Sequence, residues 1–476
     1  MKNKRSAWLW SAMVCMLLSQ NLTAADKEKE QPRPTPLTRP EMKRLLEDMK
    51  QRHERIPLPP LATDAKAGDD PRALSYEGRL SSLYLPSTAG IRSYLNFSGS
   101  PQRTAQSNPS RFTQAPDPAL TLDYGFKTRL FWIASRANNC QYCLGHQESK
   151  LSAVGMSEDQ IASLDSNWSV FPPEEQAAFA LARRLTLEPH LLAAADIEAC
   201  RKHYSDLQIL EMVLSVAGNN AINRWKEGVG VPQSSGGGNF GAGSGDGHSY
   251  LTETSSAFMK VRSKVVSAAN VAADNVLMPT SMDRQAAITA KNVAEGLAQC
   301  AHRQARLPMV SEERAREVLG ELAPTGTMPH WMRLLANFPV ASKRQVAGFV
   351  ATEQELNLSD LMRAQMAWTI ARQNGAWYAL AEAQQRLTKL GQSARQIAEL
   401  ESFAATGAPG ALGESDRALL IVAKNLAASP VVLTDAQVAE AVRLAGARDV
   451  VQTVHYTAMR SLFDRFTETA ALPIDQ

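Results

Sequence analysis

Aromatic residues, net charge and cysteine are all scarce in this chain, and alternating β-branched runs hardly occur. Aromatics make up 6% of the sequence and the formal net charge is +3. That balance is too small to argue for nucleic acid or an anionic membrane surface as partner. Without alternating β-branched runs, and with Ala, Leu, Arg, Glu and Gln abundant, composition favours an all-α protein. The one glycine-rich stretch, residues 233–249 (QSSGGGNFGAGSGDGHS), has no Gly-Lys-Ser/Thr after it and no strand before it. It reads as a flexible linker rather than a phosphate cradle. An apolar run at residues 7–18 is too short to make a good transmembrane span.

That run follows Lys2, Lys4 and Arg5 and precedes Thr23, Ala24 and Ala25, the layout of a secretory signal cleaved after Ala25. Cys15 follows Met13 and Val14, not a small residue, and is read as leaving with the signal. The expectation is an exported protein, periplasmic in a Gram-negative cell, with no membrane span once mature. Cys140, Cys143, Cys200 and Cys300 then remain, and export makes a disulfide permissible.

A chain of 476 residues exceeds one ordinary core and predicts several domains. Residues 26–36 read as a charged, proline-rich tether, 39–55 as a short amphipathic helix, and 61–80 as polar loop, so that 26–80 precedes the first domain. From about Ser81 the pattern is helical up to residue 231, interrupted by a polar stretch between Ser98 and Pro118. Gly155 ends one helix and Ser157 caps the next. Pro173 with Glu174 and Glu175 opens another. The linker, 232–250, and a helical connector, 251–324, separate this first domain (81–231) from a second at 325–467.

The second domain repeats the first. Trp132 aligns with Trp368, Arg136 with Arg372, Asn138 with Asn374, Tyr142 with Tyr378 and Gly155 with Gly391, all at one offset (372 − 136 = 236). Further on, Pro189 aligns with Pro430 and Arg224 with Arg465 at a slightly larger one (465 − 224 = 241). The chemistry is not repeated: Cys140, Cys143 and His146 face Ala376, Ala379 and Glu382. Trp132 and Arg136 recur without the cysteines and therefore read as fold residues.

Chemistry concentrates in Asn139-Cys140-Gln141-Tyr142-Cys143-Leu144-Gly145-His146. Helical neighbours at i and i+3 put Cys140 and Cys143 on one face, with His146 a turn beyond. This is the layout of a redox dithiol, in which one thiolate attacks, the other resolves, and the imidazole accepts a proton. A helix N-terminus and a nearby imidazole both favour the thiolate. Glu148 offers a carboxylate but is five residues from Cys143 and turned away on the helix. Cys200 and His203 form a second Cys-x-x-His; with the first motif they hold zinc-type ligands, but no tetrahedral set follows from the spacing, and neither metal nor cofactor is predicted. Cys300 reads as a small buried residue.

The motif, with Ala137-Asn138-Asn139 before it and His146, Leu151 and Gly155-Met156-Ser157 after it, resembles the AhpD-like/carboxymuconolactone decarboxylase superfamily. The resemblance covers residues 81–231 and, more weakly, 325–467. It implies a compact all-α domain that assembles into oligomers, here two in tandem with the second degenerate. It also implies a thiol peroxidase in which Cys143 attacks a hydroperoxide and Cys140 closes the disulfide, recycled by a thioredoxin-like or lipoyl-type thiol reductant. The decarboxylase branch, which acts on a lactone, lacks the pair. Decarboxylase-type lactone chemistry is the enzymatic alternative, and a non-enzymatic assembly protein with a structural disulfide is the other. Two positions depart from the pattern: Gln147 stands where the relay histidine is expected, one place after His146, and Thr128 where the relay glutamate is expected.

Overall fold

The computed structural model describes residues 54–60, 75–87, 91–98, 117–153, 155–231, 288–407 and 412–475. The expected signal, Cys15, most of the helix read at 39–55, the glycine-rich linker and residues 251–287 of the connector lie outside the described residues. Among the described residues the protein is all-helical, without strands. No described helix is long and apolar enough to cross a membrane.

The first run of helices is α1 (Tyr76–Tyr84), α2 (Tyr124–Asn138), α3 (Gln141–Ala153), α4 (Glu158–Ser166), α5 (Pro173–Leu187), α6 (Ala194–Arg201) and α7 (Asp206–Val229). The second is α8 (Ala290–Cys300), α9 (Glu312–Leu319), α10 (His330–Leu335), α11 (Pro339–Gln354), α12 (Asp360–Asn374), α13 (Trp377–Lys389), α14 (Ala394–Thr406), α15 (Glu414–Ala427) and α16 (Asp435–Thr469). Side chains dictate many of the starts. Ser157 and Gln160 form a capping box on α4, and Ser393 with Gln396 forms one on α14. Each such cap stabilises its helix by about 1 kcal/mol.

Residues 76–80 are helix, not the loop expected of 61–80. Ser75 caps α1 by accepting from Gly78 N–H, and Tyr76 and Leu80 are buried. The Tyr76 hydroxyl donates to the Val229 carbonyl at 2.8 Å and accepts from Ile56 N–H at 3.0 Å. Long-range burial, which local composition does not register, fixes this helix.

Helix starts recur at the sequence offsets. α12 begins 236 positions after α2 (360 − 124), and α13 and α14 keep that spacing from α3 and α4. α15 follows α5 by 241 (414 − 173). α16 is broken at Gly446, where φ is +86°, and its two limbs match α6 and α7. Polar anchors recur too. Glu211 accepts from Thr121 N–H at 2.8 Å, and Gln452 from Asn357 N–H at 2.8 Å. Arg136 pairs with Asp165 at 3.1 Å, Arg372 with Glu401 at 2.7 Å.

α7 and α16 pack along each other, and α2 and α12 pack against them. One apolar core runs through both halves, from Leu130, Trp132 and Trp225 to Trp368, Leu420 and Phe466. α7 is buried nearly all round, as a helix central to a core must be. The dithiol motif therefore lies where α2 turns into α3, against α7.

Candidate functional site

α2 ends in a left-handed turn that sets the dithiol. Asn139 has φ 55°, a conformation asparagine tolerates. Its N–H bonds to the Arg136 carbonyl, and Cys140 N–H reaches back to the Ser135 carbonyl at 2.9 Å. The same turn is made by Gly375 and Ala376 in the other half. Cys140 is consequently not inside a helix but immediately ahead of α3, with Cys143 in the first turn. The two are joined as a disulfide, with Cα atoms 5.4 Å apart. Both are buried, Cys140 at 0% and Cys143 at 5% exposure.

His146 follows one turn on and retains partial exposure. Its ring lies 4.6 Å from that of Tyr142. Burial, with the charges of Lys226 and Lys150 added, pushes the imidazole down to about 3. The ring is thus neutral at physiological pH and a weak base.

A cation that sequence reading missed stands beside it. The Lys226 ammonium sits over the Tyr142 ring, 4.4 Å from its centre, and bonds the Glu77 carboxylate at 2.5 and 2.6 Å. Trp225 Nε1 donates to the same carboxylate at 2.7 Å. Burial opposes the Lys226 charge, but Glu77 and Tyr142 outweigh it and hold the ammonium above its ordinary value. Burial pushes the Tyr142 phenol up, so it stays protonated. Glu77 and Lys226 come from α1 and α7, about 150 positions apart; no local spacing signals their meeting.

The expected relay positions do other work. The Thr128 hydroxyl donates to the Tyr124 carbonyl of its own helix at 2.8 Å. Glu148 is fully buried and accepts from Trp132 Nε1 at 3.2 Å. The buried Gln147 amide meets the Asn219 side chain at 3.1 Å; turned to satisfy both of its ends, it donates to the Cys143 carbonyl at 3.2 Å and to Ser135 Oγ at 3.0 Å. Cys200 lies apart, its thiol donating to the Ala177 carbonyl, and burial pushes it up to about 12. His203 is exposed. The buried Cys300 thiol is directed at the Leu472 carbonyl and is likewise pushed up to about 12. Among the described residues no three or more His, Cys, Asp or Glu gather as a metal site.

A polar network binds the motif to the rest of the core. Asn138, directly before the turn, donates from Nδ2 to Asn220 Oδ1 (2.8 Å) and Asn223 Oδ1 (2.9 Å). Its own Oδ1 accepts from Ser429 Oγ at 2.8 Å, and its carbonyl accepts from Val431 N–H at 3.2 Å.

No protein-family model matches this chain, and no curated protein matches it.

Proposed function

We propose that the protein is an exported dithiol oxidoreductase of AhpD-like type that reduces hydroperoxides, built from two copies of one helical domain of which only the first carries cysteines. The Cys143 thiolate attacks the terminal peroxide oxygen, the O–O bond breaks, and Cys143 becomes a sulfenic acid while the alkoxide takes a proton and leaves as alcohol. The Cys140 thiol then displaces water to form the disulfide. An external thiol reductant of thioredoxin-like or lipoyl type returns two electrons and two protons. The supporting observation is the Cys140–Cys143 pair at the start of α3, with the Lys226 ammonium 4.4 Å from the ring centre of Tyr142, the residue before Cys143. A helix N-terminus and an ammonium both favour the thiolate. Lys226 is assigned the electrostatic role, and neutral His146 a hydrogen-bonding one, accepting the thiol proton only weakly.

Cys140→Ser is expected to leave a sulfenic acid on Cys143 after peroxide, captured by a dimedone-type probe, whereas Cys143→Ser leaves Cys140 reduced. Equal peroxide consumption by both variants and the unaltered protein would remove the enzymatic reading. The burial of both sulfurs favours a second reading, a structural staple, which predicts a disulfide that thiols do not reduce in the folded protein. Lactone chemistry, the remaining rival, predicts activity that survives loss of both cysteines.

A further inference from the structure

The cysteine-free half reaches into the dithiol turn through Ser429 and Val431. Ser429 is buried and its hydroxyl has a single donor and two acceptor sites, all used. It donates to Asn138 Oδ1 at 2.8 Å and accepts from Arg224 at 2.8 Å and Arg465 at 2.9 Å. Two residues on, Val431 N–H holds the Asn138 carbonyl. Asn138 has both amide hydrogens committed to α7, so its side chain is held from two directions, and Cys140 lies two residues beyond. At the matching position of the first half (429 − 188 = 241) stands Glu188, so the hydroxyl is not repeated there.

We infer that Ser429 and Val431 are positioning residues for the Cys140–Cys143 pair, and that this clamp is what the cysteine-free half contributes to the site. The inference rests on the dithiol reading only in taking the pair to be reversible. A buried hydroxyl with all three of its hydrogen bonds made is held rigidly, and a held turn keeps Cys140 at high effective concentration beside Cys143. Loosening it disfavours the disulfide relative to the dithiol.

The test is the equilibrium of the full-length pair with glutathione, read by quenched mass spectrometry. Ser429→Ala should move it about fivefold toward the dithiol; Ser429→Thr, which keeps the hydroxyl, should stay near the original value. Val422→Ala, which trims the buried core of α15, serves as a control for plain loss of stability and should not move it. Should Ser429→Ala fail to fold, the unaltered protein still decides, because coupling is reciprocal: reducing the disulfide should speed hydrogen exchange of the Val431 amide severalfold. An equilibrium identical in the Ala and Thr variants, or Val431 exchange indifferent to reduction, overturns the clamp and leaves the dithiol reading standing. A disulfide that no thiol reduces overturns both.

Discussion

Arg224 and Arg465 donate to the same oxygen, Ser429 Oγ, at 2.8 and 2.9 Å. They occupy matching positions; each also bonds the carbonyl four residues back in its own helix, and one further bond of each crosses over. Arg224 also reaches the Ala427 carbonyl at 2.8 Å, and Arg465 the Thr186 carbonyl at 3.0 Å. Those two carbonyls match as well (427 − 186 = 241). Arg224 of α7 is thus set against the end of α15, and Arg465 of α16 against the end of α5.

From this arrangement follows a stability prediction. Arg224→Met or Arg465→Met removes donors from buried oxygens and should each cost about 2–4 kcal/mol of unfolding free energy. The double substitution should cost less than the sum, because both act on Ser429. Urea unfolding of the four proteins measures the coupling; strict additivity would mean that the two sites are independent.

A second prediction concerns the cation. If Lys226 favours the Cys143 thiolate, Lys226→Met should raise the midpoint of Cys143 alkylation by iodoacetamide in the reduced protein by about one pH unit. His146→Ala should move it much less, since the imidazole is pushed down to about 3 and carries no charge over that range. The reverse ranking would return the proton-accepting role to His146.

A third concerns acid stability. His455 is buried between the Tyr94 hydroxyl at 2.6 Å and the Thr352 hydroxyl at 3.1 Å, and burial pushes it down to about 3. The unfolded chain binds this proton from about pH 6.5 downward and the folded chain does not, so stability falls as the pH drops from about 6.5 toward 3. Asp464, pushed up to about 6 by burial, works in the opposite direction by taking up a proton on folding, which makes the comparison of variants necessary. Replacing His455 with Asn should flatten the fall between pH 6 and 4 by close to one proton's worth of slope. Chemical denaturation at several pH values gives that slope, and parallel profiles would contradict the assignment.

A fourth concerns the two other thiols. With Cys200 and Cys300 each pushed up to about 12, Cys200→Ala and Cys300→Ala should leave peroxide-driven oxidation of Cys140 and Cys143 unchanged within about twofold. A tenfold loss in either would place a third sulfur in the cycle.

Much of this fold is written locally. Asp123, Ser157 with Gln160, and Pro173 mark the starts of α2, α4 and α5, and Gly155, with φ +92°, follows the end of α3, because caps and left-handed glycines act within a few residues. α1 is less legible: Ser75 caps it locally, but it is short, and the bonds from Tyr76 and Glu77 that hold it go to α7. The cysteine pair is visible as spacing, but the residues around it are not. Lys226 and Glu77 meet only after α1 folds across α7, and Ser429 meets Asn138 only once the halves have packed. The departures at Thr128 and Gln147 were visible; that one hydroxyl would turn to its own helix and the other side chain to the Cys143 carbonyl depended on the packing of α2, α3 and α7.

The most direct measurement of the central claim is a mass-resolved thiol count on the reduced protein lacking residues 1–25, before and after one equivalent of an organic hydroperoxide. With the protein unfolded for labelling, so that the buried Cys200 and Cys300 also react, four alkylatable sulfurs are expected before and two after, with the peptide spanning Cys140 and Cys143 lighter by two hydrogens and one equivalent of alcohol released. Four thiols still present with the peroxide unconsumed would contradict it.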